Sequence, residues 1–430
     1  MPARTTALAA LIACRRAGAW SDGILKEYLA RDGLDRRDAA LATQLCCGVM
    51  QQRLLLDWRL RQVSSQPLEK LQPVVLDILR LGAYQIGFLD RVPDSAAVNE
   101  AVEQAKRYAN ARAGGYVNGV LRALSRRKAE LTAPEGDTLE ALSIRYSHPL
   151  PLVTLLAEQL PPQTLEAVLA ADQTVPPTVL RANPLRPGPM PEGAQPHPWL
   201  PGCWLCRGGG NVESLPGFAE GAYTVQDAAS QLAVLAAAPR LGDRVLDACA
   251  APGGKSFACA ARMDNRGSIT ACDLHGHKIR LIEAGAARLG VTCLTALQQD
   301  GTVFRPEWEC AFDLVLADAP CSGLGVIRKK PDIRYKDLAP LEGLPAVQAR
   351  LLDNLARYVR PGGVLLYSTC TILRRENEAV VEGFLQRHGE FASEPMPLPA
   401  PLPENSGMQL LLPGQYDTDG FFLAKLRRAT

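Results

Sequence analysis

Apolar positions recur at helical spacing through the first 130 residues. After residue 220 they change to short apolar runs alternating with helical stretches. Leu8, Leu11 and Ile12 form a helical stripe, and Ser21-Asp22 is a capping pair for the helix that follows. Asp35 opens a long helix through Leu41, Leu45, Val49 and Leu54-Leu55 to Leu60. Gln72 to Phe88 is strongly apolar, and Pro93-Asp94-Ser95 starts a helix around Ala97, Val98, Ala101 and Ala105. Gly114-Gly115 punctuates before a last helix, Tyr116 to Arg127. An all-helical domain over 1–131 is expected, followed by a linker at Thr132 to Thr138. Residues 139–219 predict a small α/β connector, with helices near 151–159 and 163–171, a strand at 178–181 and an irregular Pro/Gly-rich run from 184 to 217. Residues 220–430 predict strands at 244–248, 268–272, 293–298, 312–317 and 362–367, with helices at 227–238, 255–263, 277–289 and 345–359. That alternation describes a Rossmann-like α/β domain with a parallel sheet, closed by an antiparallel pair at 409–412 and 421–426.

The stretch organising the second half is Arg244 to Ser256, RVLDACAAPGGKS. A buried strand ends in Ala251-Pro252-Gly253-Gly254, and the next helix begins near Lys255. Paired glycines let backbone approach a ligand, and the free N–H groups of a helix start favour an anion or carboxylate. A dinucleotide fingerprint is missing from Cys249 to Gly254. A phosphate loop lacks its first glycine, and Pro252 removes one of the needed donors. A smaller ligand with a carboxylate, ribose and adenine remains, and S-adenosylmethionine fits that description. Asp273, 20 residues after Gly253, is spaced to accept from ribose hydroxyls, and Asp300-Gly301 after the next strand can hold the adenine edge.

Two later motifs reach the same sheet edge. Phe312 to Ala317 delivers Asp318-Ala319-Pro320-Cys321-Ser322-Gly323, and Val364 to Tyr367 delivers Ser368-Thr369-Cys370. Cytosine C5 is a poor nucleophile until a thiolate adds at C6, with a donor at N3 stabilising the charge that builds up. Two thiols, Asp318 and Lys255 beside a methyl donor supply that set. Position favours neither thiol as the nucleophile.

Charge adds an asymmetry. The net +2 divides into 20 basic against 13 acidic residues over 1–130 and 27 against 32 in the remainder, so the first third suits a polyanion. Arg328, Lys329, Lys330, Arg334 and Lys336 fall within nine residues of each other, with Tyr335 among them. They predict phosphate contacts and a base-stacking ring for RNA. The twelve cysteines show no disulfide framework, and the lone Cys203-x-x-Cys206 does not make a zinc site, so no metal is expected. No apolar run reaches the roughly 18–20 residues that span a bilayer, and a cytoplasmic protein without a membrane partner is expected.

The motifs together resemble a known family. FAEGAYTVQDAASQ (218–231), DACAAPGGKS (247–256), Asp273, DAPCSGLGVIRKKPDIRY (318–335), STC (368–370) and DGFF (419–422) are similar to the NOL1/NOP2/Sun RNA cytosine-5 methyltransferases. Pro93 to Val102 and Tyr116 to Arg122 resemble the NusB family of RNA-binding helical bundles. The resemblance covers essentially the whole chain. It implies a monomer that methylates one cytosine of 16S rRNA, free or in an early small-subunit precursor, using S-adenosylmethionine and not acting on DNA. By the same resemblance Cys370 attacks C6, although Pro320-Cys321 matches the nucleophile motif of DNA cytosine methyltransferases. Cys321 assists release, Asp318 holds the base near N3 and N4, and Lys255 completes the catalytic set. Cys249, Ala250, Ala251, Pro252, Gly253, Gly254, Lys255, Asp273, Asp300, Gly301 and Asp318 line the cofactor pocket. The rival readings are a non-catalytic RNA-binding or antitermination factor of the NusB kind and, from Gly254-Lys255-Ser256, a P-loop NTPase.

Overall fold

The computed structural model describes residues 2–17, 22–207 and 212–430. The chain divides into two compact units, 1–174 with 330–336, and 175–329 with 337–430. The segment expected as one connector is therefore divided: 139–174 groups with the helices before it, and 175–219 with the sheet after it.

The first unit is helical: α1 (Pro2–Ala17), α2 (Asp22–Arg31), α3 (Arg36–Gln51), α4 (Arg53–Arg61), α5 (Pro73–Phe88), α6 (Asp94–Tyr108), α7 (Ala111–Arg127), α8 (Leu139–Arg145), α9 (Leu150–Ala157) and α10 (Pro162–Ala171). Asp35 caps α3 by accepting from the Asp38 N–H at 2.7 Å, as its position predicts. The long helix expected from Asp35 to Leu60 is two helices that break at Gln52. Gly114-Gly115 does not interrupt a helix. α7 starts earlier, with Asn110 as its cap, and a Cβ at Gly114 would come within 2.8 Å of Lys106 Cγ, so the glycine there serves close packing of α7 on α6. Ser21 lies outside the described residues, and with it the Ser21-Asp22 cap. Apolar stripes of α1 to α7 share one core, and the buried Arg80–Asp57 pair between α5 and α4 is bidentate, at 2.7 Å on both arms.

The second unit opens with a small antiparallel sheet of β1 (Thr178–Ala182), β2 (Ala194–Pro196), β3 (Cys203–Cys206) and β4 (Tyr223–Val225), in the order β2-β3-β1-β4. The run expected to be irregular thus contributes two of its strands. There follow α11 (Ala228–Ala237), β5 (Arg244–Asp247), α12 (Gly254–Arg262), β6 (Ser268–Asp273), α13 (Gly276–Leu289), β7 (Leu294–Gln298) and β8 (Phe312–Asp318). The chain ends with α14 (Leu344–Ala356), β9 (Val359–Thr369), α15 (Glu378–Arg387), β10 (Phe391–Ser393), β11 (Met408–Leu411) and β12 (Phe421–Arg428). The large sheet runs β10-β12-β9-β8-β5-β6-β7, with β11 paired to β12. β5 to β9 are parallel, and β12 joins antiparallel to β9.

Successive residues on the central strands divide between two cores, as a period of two requires. Val245, Leu314, Leu316, Val364 and Leu366 pack with α11, α12 and α13. Leu246, Val315, Ala317, Leu365 and Tyr367 pack with α14 and α15. Chain order reverses between β5 and β8, which puts a crevice at the carboxyl ends of those strands.

Candidate active site

The turn from β5 into α12 forms one wall of the crevice. Gly253 sits at φ +107°, and a Cβ there would lie 2.2 Å from the Phe257 ring, so both conformation and space demand glycine. Asp247, at the end of β5, is fully buried; its Oδ2 accepts from Ser256 Oγ at 2.6 Å and, among the described residues, its Oδ1 has no hydrogen-bond partner. Burial pushes this carboxyl up to about 6 despite the Ser256 hydrogen bond. Burial likewise raises the Cys249 thiol in the same turn. Gln226, buried against Gly254, leaves both amide atoms unpartnered among the described residues, and Arg181 Nη1 donates to the Gly254 carbonyl at 3.2 Å.

At the next strand end Asp273 is buried, accepts from the His275 N–H at 3.1 Å and lies 3.4 Å from Lys278 Nζ. Asp300 spends Oδ1 on its own turn, accepting from the Thr302 N–H at 2.8 Å and its hydroxyl at 2.7 Å. Gly301 leaves room for Leu351: a Cβ would fall 2.6 Å from its Cδ1.

The chemistry-bearing groups meet at the ends of β8 and β9. Lys255 Nζ lies 2.6 Å from Asp318 Oδ2, and Ser368 Oγ donates to Asp318 Oδ1 at 2.7 Å. Burial would lower the lysine, but the Asp318 and Asp247 carboxylates and Cys370 outweigh it, so its proton affinity ends above the ordinary value. Its ammonium also lies 5.2 Å from the Phe421 ring centre. Cys321 Sγ is 3.2 Å from Cys370 Sγ. The contact with Cys370, then burial, pushes the Cys321 thiol well up.

The basic run after Cys321 departs from expectation. Arg328 is 2.6 Å from Asp419, and Lys329 bridges Asp227 and, at 2.7 Å, Asp419. Both sit in a partly buried charge cluster. Arg334 is only 1% exposed, and its guanidinium donates to the carbonyls of Gln51 (3.0 Å), Tyr146 (3.3 Å), Ser147 (3.2 Å) and Asp172 (3.2 Å). The Tyr335 hydroxyl donates to the Met50 carbonyl at 3.0 Å, and its ring takes Arg53 at 5.0 Å. Arg334 and Tyr335 are therefore corrected from RNA contacts to ties within the first unit, with Arg334 Nη1 and Nη2 and the Tyr335 hydroxyl on backbone carbonyls. Of the five residues assigned to RNA, Lys330 is the exposed one.

Sequence reasoning gave no role to Asp247, Gln226, Ser368, Gln348, Glu376 or Asn377. The Glu376-Asn377-Glu378 triplet, six residues past Cys370, was the available signal for the last two.

Comparison with known proteins bears on the whole chain. The model for 16S rRNA methyltransferase RsmB/F matches residues 234–427, and the NusB family model matches 1–126. The probable ribosomal RNA small subunit methyltransferase B of Bacillus subtilis (strain 168) is 35% identical over 454 residues, 99% of this chain and 98% of the relative. That of Salmonella arizonae is 36% identical over 408 residues, covering 91% and 90%. The crystal structure of PH0851 is similar with a TM-score of 0.81 at 25% identity, covering 100% of this chain and 99% of that one. A methyltransferase homolog from Pyrococcus horikoshii shares the fold, with a TM-score of 0.57 at 24% identity over 68% of this chain and 100% of that one. Near-full-length identity to such relatives, with a family match to each half, means that the chain belongs to the ribosomal RNA small subunit methyltransferase B family.

Proposed function

We propose that this protein methylates C5 of one cytosine in small-subunit ribosomal RNA, with S-adenosylmethionine as donor and a transient bond from Cys370 to C6 of the base. Methylation of small-subunit rRNA is the activity for which its relatives are named. The observation that carries the finer reading is the pair of thiols 3.2 Å apart at a crevice that also holds the Lys255–Asp318 pair.

The residues of the crevice fit the cofactor. Asp247 Oδ1, a buried acceptor without a partner among the described residues, suits an ammonium group, the Gly253 turn leaves space for close backbone approach, and buried Asp273 suits the ribose hydroxyls. When bound, the cofactor supplies an electrophilic methyl group on a positively charged sulfur.

Cys370 attacks as the thiolate, and a negative sulfur there favours the Lys255 ammonium. Addition of Cys370 to C6 pushes electrons toward C5 and onto the N3 side of the ring, where Lys255 and Asp318 offer donor and acceptor. After transfer the Cys321 sulfur, as the thiolate, takes the C5 proton, the C–H electron pair re-forms the C5–C6 double bond, the S–C6 bond breaks, and Cys370 leaves with the electron pair.

Labelled methyl transfer to 16S rRNA tests this directly. Cys370→Ala should lower the rate by more than about 10³-fold. Cys321→Ala should still attack and trap RNA on the protein in a denaturing gel. Adduct with Cys370→Ala and none with Cys321→Ala would reverse the two roles.

A further inference from the structure

Neither thiol holds its place unaided, and both turns are fixed by neighbouring residues of one segment. Glu376 and Asn377 are wholly buried between β9 and α15, and the Tyr367 hydroxyl on β9 donates to the Glu376 carbonyl at 2.6 Å. Asn377 brackets Cys370: its Oδ1 accepts from Thr369 Oγ1 at 2.6 Å, and its Nδ2 donates to the Thr371 carbonyl at 3.0 Å. Glu376 brackets Cys321 from its other side. Its Oε2 accepts from the Ser322 N–H at 2.9 Å and from Gln348 Nε2 at 3.0 Å, while the same Gln348 nitrogen reaches the Pro320 carbonyl at 3.0 Å. Ser322 Oγ and Thr371 Oγ1, 2.7 Å apart, join the two turns. Glu376 Oε1 is buried without a hydrogen-bond partner among the described residues, which is costly for a residue that only fills space.

We infer that Glu376-Asn377 is a two-residue clamp that sets the working separation of the thiols, Asn377 positioning Cys370 for attack and Glu376 positioning Cys321 for release. The inference rests on the chemistry proposed above. Asn377 holds both residues flanking Cys370, and Glu376 holds Ser322 directly and Pro320 through Gln348, so loss of an arm impairs one half of the reaction. Misplacing a reacting group by about 1 Å costs on the order of 10²-fold.

The experiment uses the full-length protein with 16S rRNA and labelled S-adenosylmethionine, reading methyl transfer and RNA–protein adduct together. Asn377→Ala should slow transfer about 10- to 100-fold with no adduct. Glu376→Ala should accumulate adduct as Cys321→Ala does, and Glu376→Gln, which keeps an acceptor for the Ser322 N–H, should recover release. Cofactor affinity within about twofold of the parent shows each variant is folded, since a 10-fold change corresponds to 1.4 kcal/mol. Where Glu376→Ala fails that check, Gln348→Leu loosens the same turn from α14 and should trap adduct. Wild-type release by the folded Glu376 or Gln348 variant, while Cys321→Ala traps adduct, overturns the clamp and leaves the chemistry standing. Absence of adduct with Cys321→Ala itself overturns the chemistry.

Discussion

The two ends of one motif, Asp318 to Tyr335, put similar residue types to opposite uses. At the first end Asp318 keeps a third of its side chain exposed, and Cys321 is partly open to the crevice at the end of β8. At the second end, among the described residues, each cation except Lys330 meets a carboxylate or carbonyl of its own unit: Asp419 for Arg328 and Lys329, and four backbone carbonyls for Arg334. A run of charge beside a reactive centre thus has two physical readings. Electrostatic footprint and structural tie are told apart by whether the partner is already in the fold.

The largest effect that tests this contrast is on stability. Arg334→Ala leaves several buried carbonyls without their charged donor, and should cost about 3–5 kcal/mol. Arg334→Lys should recover little, because one ammonium on a flexible stem cannot reproduce a planar fork of donors. Denaturant unfolding gives the measurement, alongside RNA binding at a temperature where both proteins are folded. A variant with unchanged stability and weakened RNA binding would return Arg334 to the RNA face and erase the contrast.

A second test addresses the exposed end through Asp247. Its carboxyl, pushed by burial to about 6 against an ordinary 3.8, is held more tightly as the acid in the native state than in the unfolded chain. Native protein therefore binds the extra proton between those values, and stability falls as pH rises from about 4 through 6. Asp247→Asn should relieve a cost of about 2–3 kcal/mol above pH 6 and change little near pH 4. Cofactor binding should run the other way. If Asp247 pairs with the cationic end of S-adenosylmethionine, affinity rises roughly tenfold per pH unit below about 6 and levels above it, while the Asn variant stays flat. Calorimetry at pH 5, 6, 7 and 8 decides the matter; identical profiles would remove Asp247 from the cofactor site.

What the chain discloses on its own follows the range of the forces involved. The central strands were legible because alternation at Val245-Leu246, Leu314 to Ala317 and Val364 to Tyr367 is a local consequence of a sheet covered on both faces. The glycines of the β5–α12 turn were legible because one backbone geometry demands them. Arg334 was misread because its carbonyl partners lie 162 to 283 residues away in sequence, and no local pattern announces them. Residues 139–174 joined the first unit for the same reason: the Leu54 N–H, on α4, donates to Ser147 Oγ at 2.8 Å. Asp247 stood in a recognised motif, yet its unpartnered oxygen is a property of burial, visible only with the neighbours in place. The roles of Cys321 and Cys370 were separated by resemblance alone. Their 3.2 Å approach brings both sulfurs to one point of the crevice without dividing the roles between them.

The smallest expected effect belongs to Lys330, and it sharpens the contrast most finely. Lys330 is exposed at the point where the chain passes from one unit's segment to the other's, flanked by Lys329, which is tied to carboxylates, and Pro331. A lone solvated ammonium that meets an RNA phosphate contributes through counterion release, so Lys330→Ala should weaken RNA binding only a few-fold at moderate salt. It should also reduce the dependence of log affinity on log salt by about one unit. Arg328→Ala should leave that slope unchanged, because its charge is already neutralised by Asp419 before any RNA arrives. Binding titrations across a salt series separate the two variants even where their affinities at one salt concentration coincide. Equal loss of slope in both would mean that the Arg328–Asp419 pair opens to take phosphate, and that the tie seen in the fold is exchanged for RNA on binding.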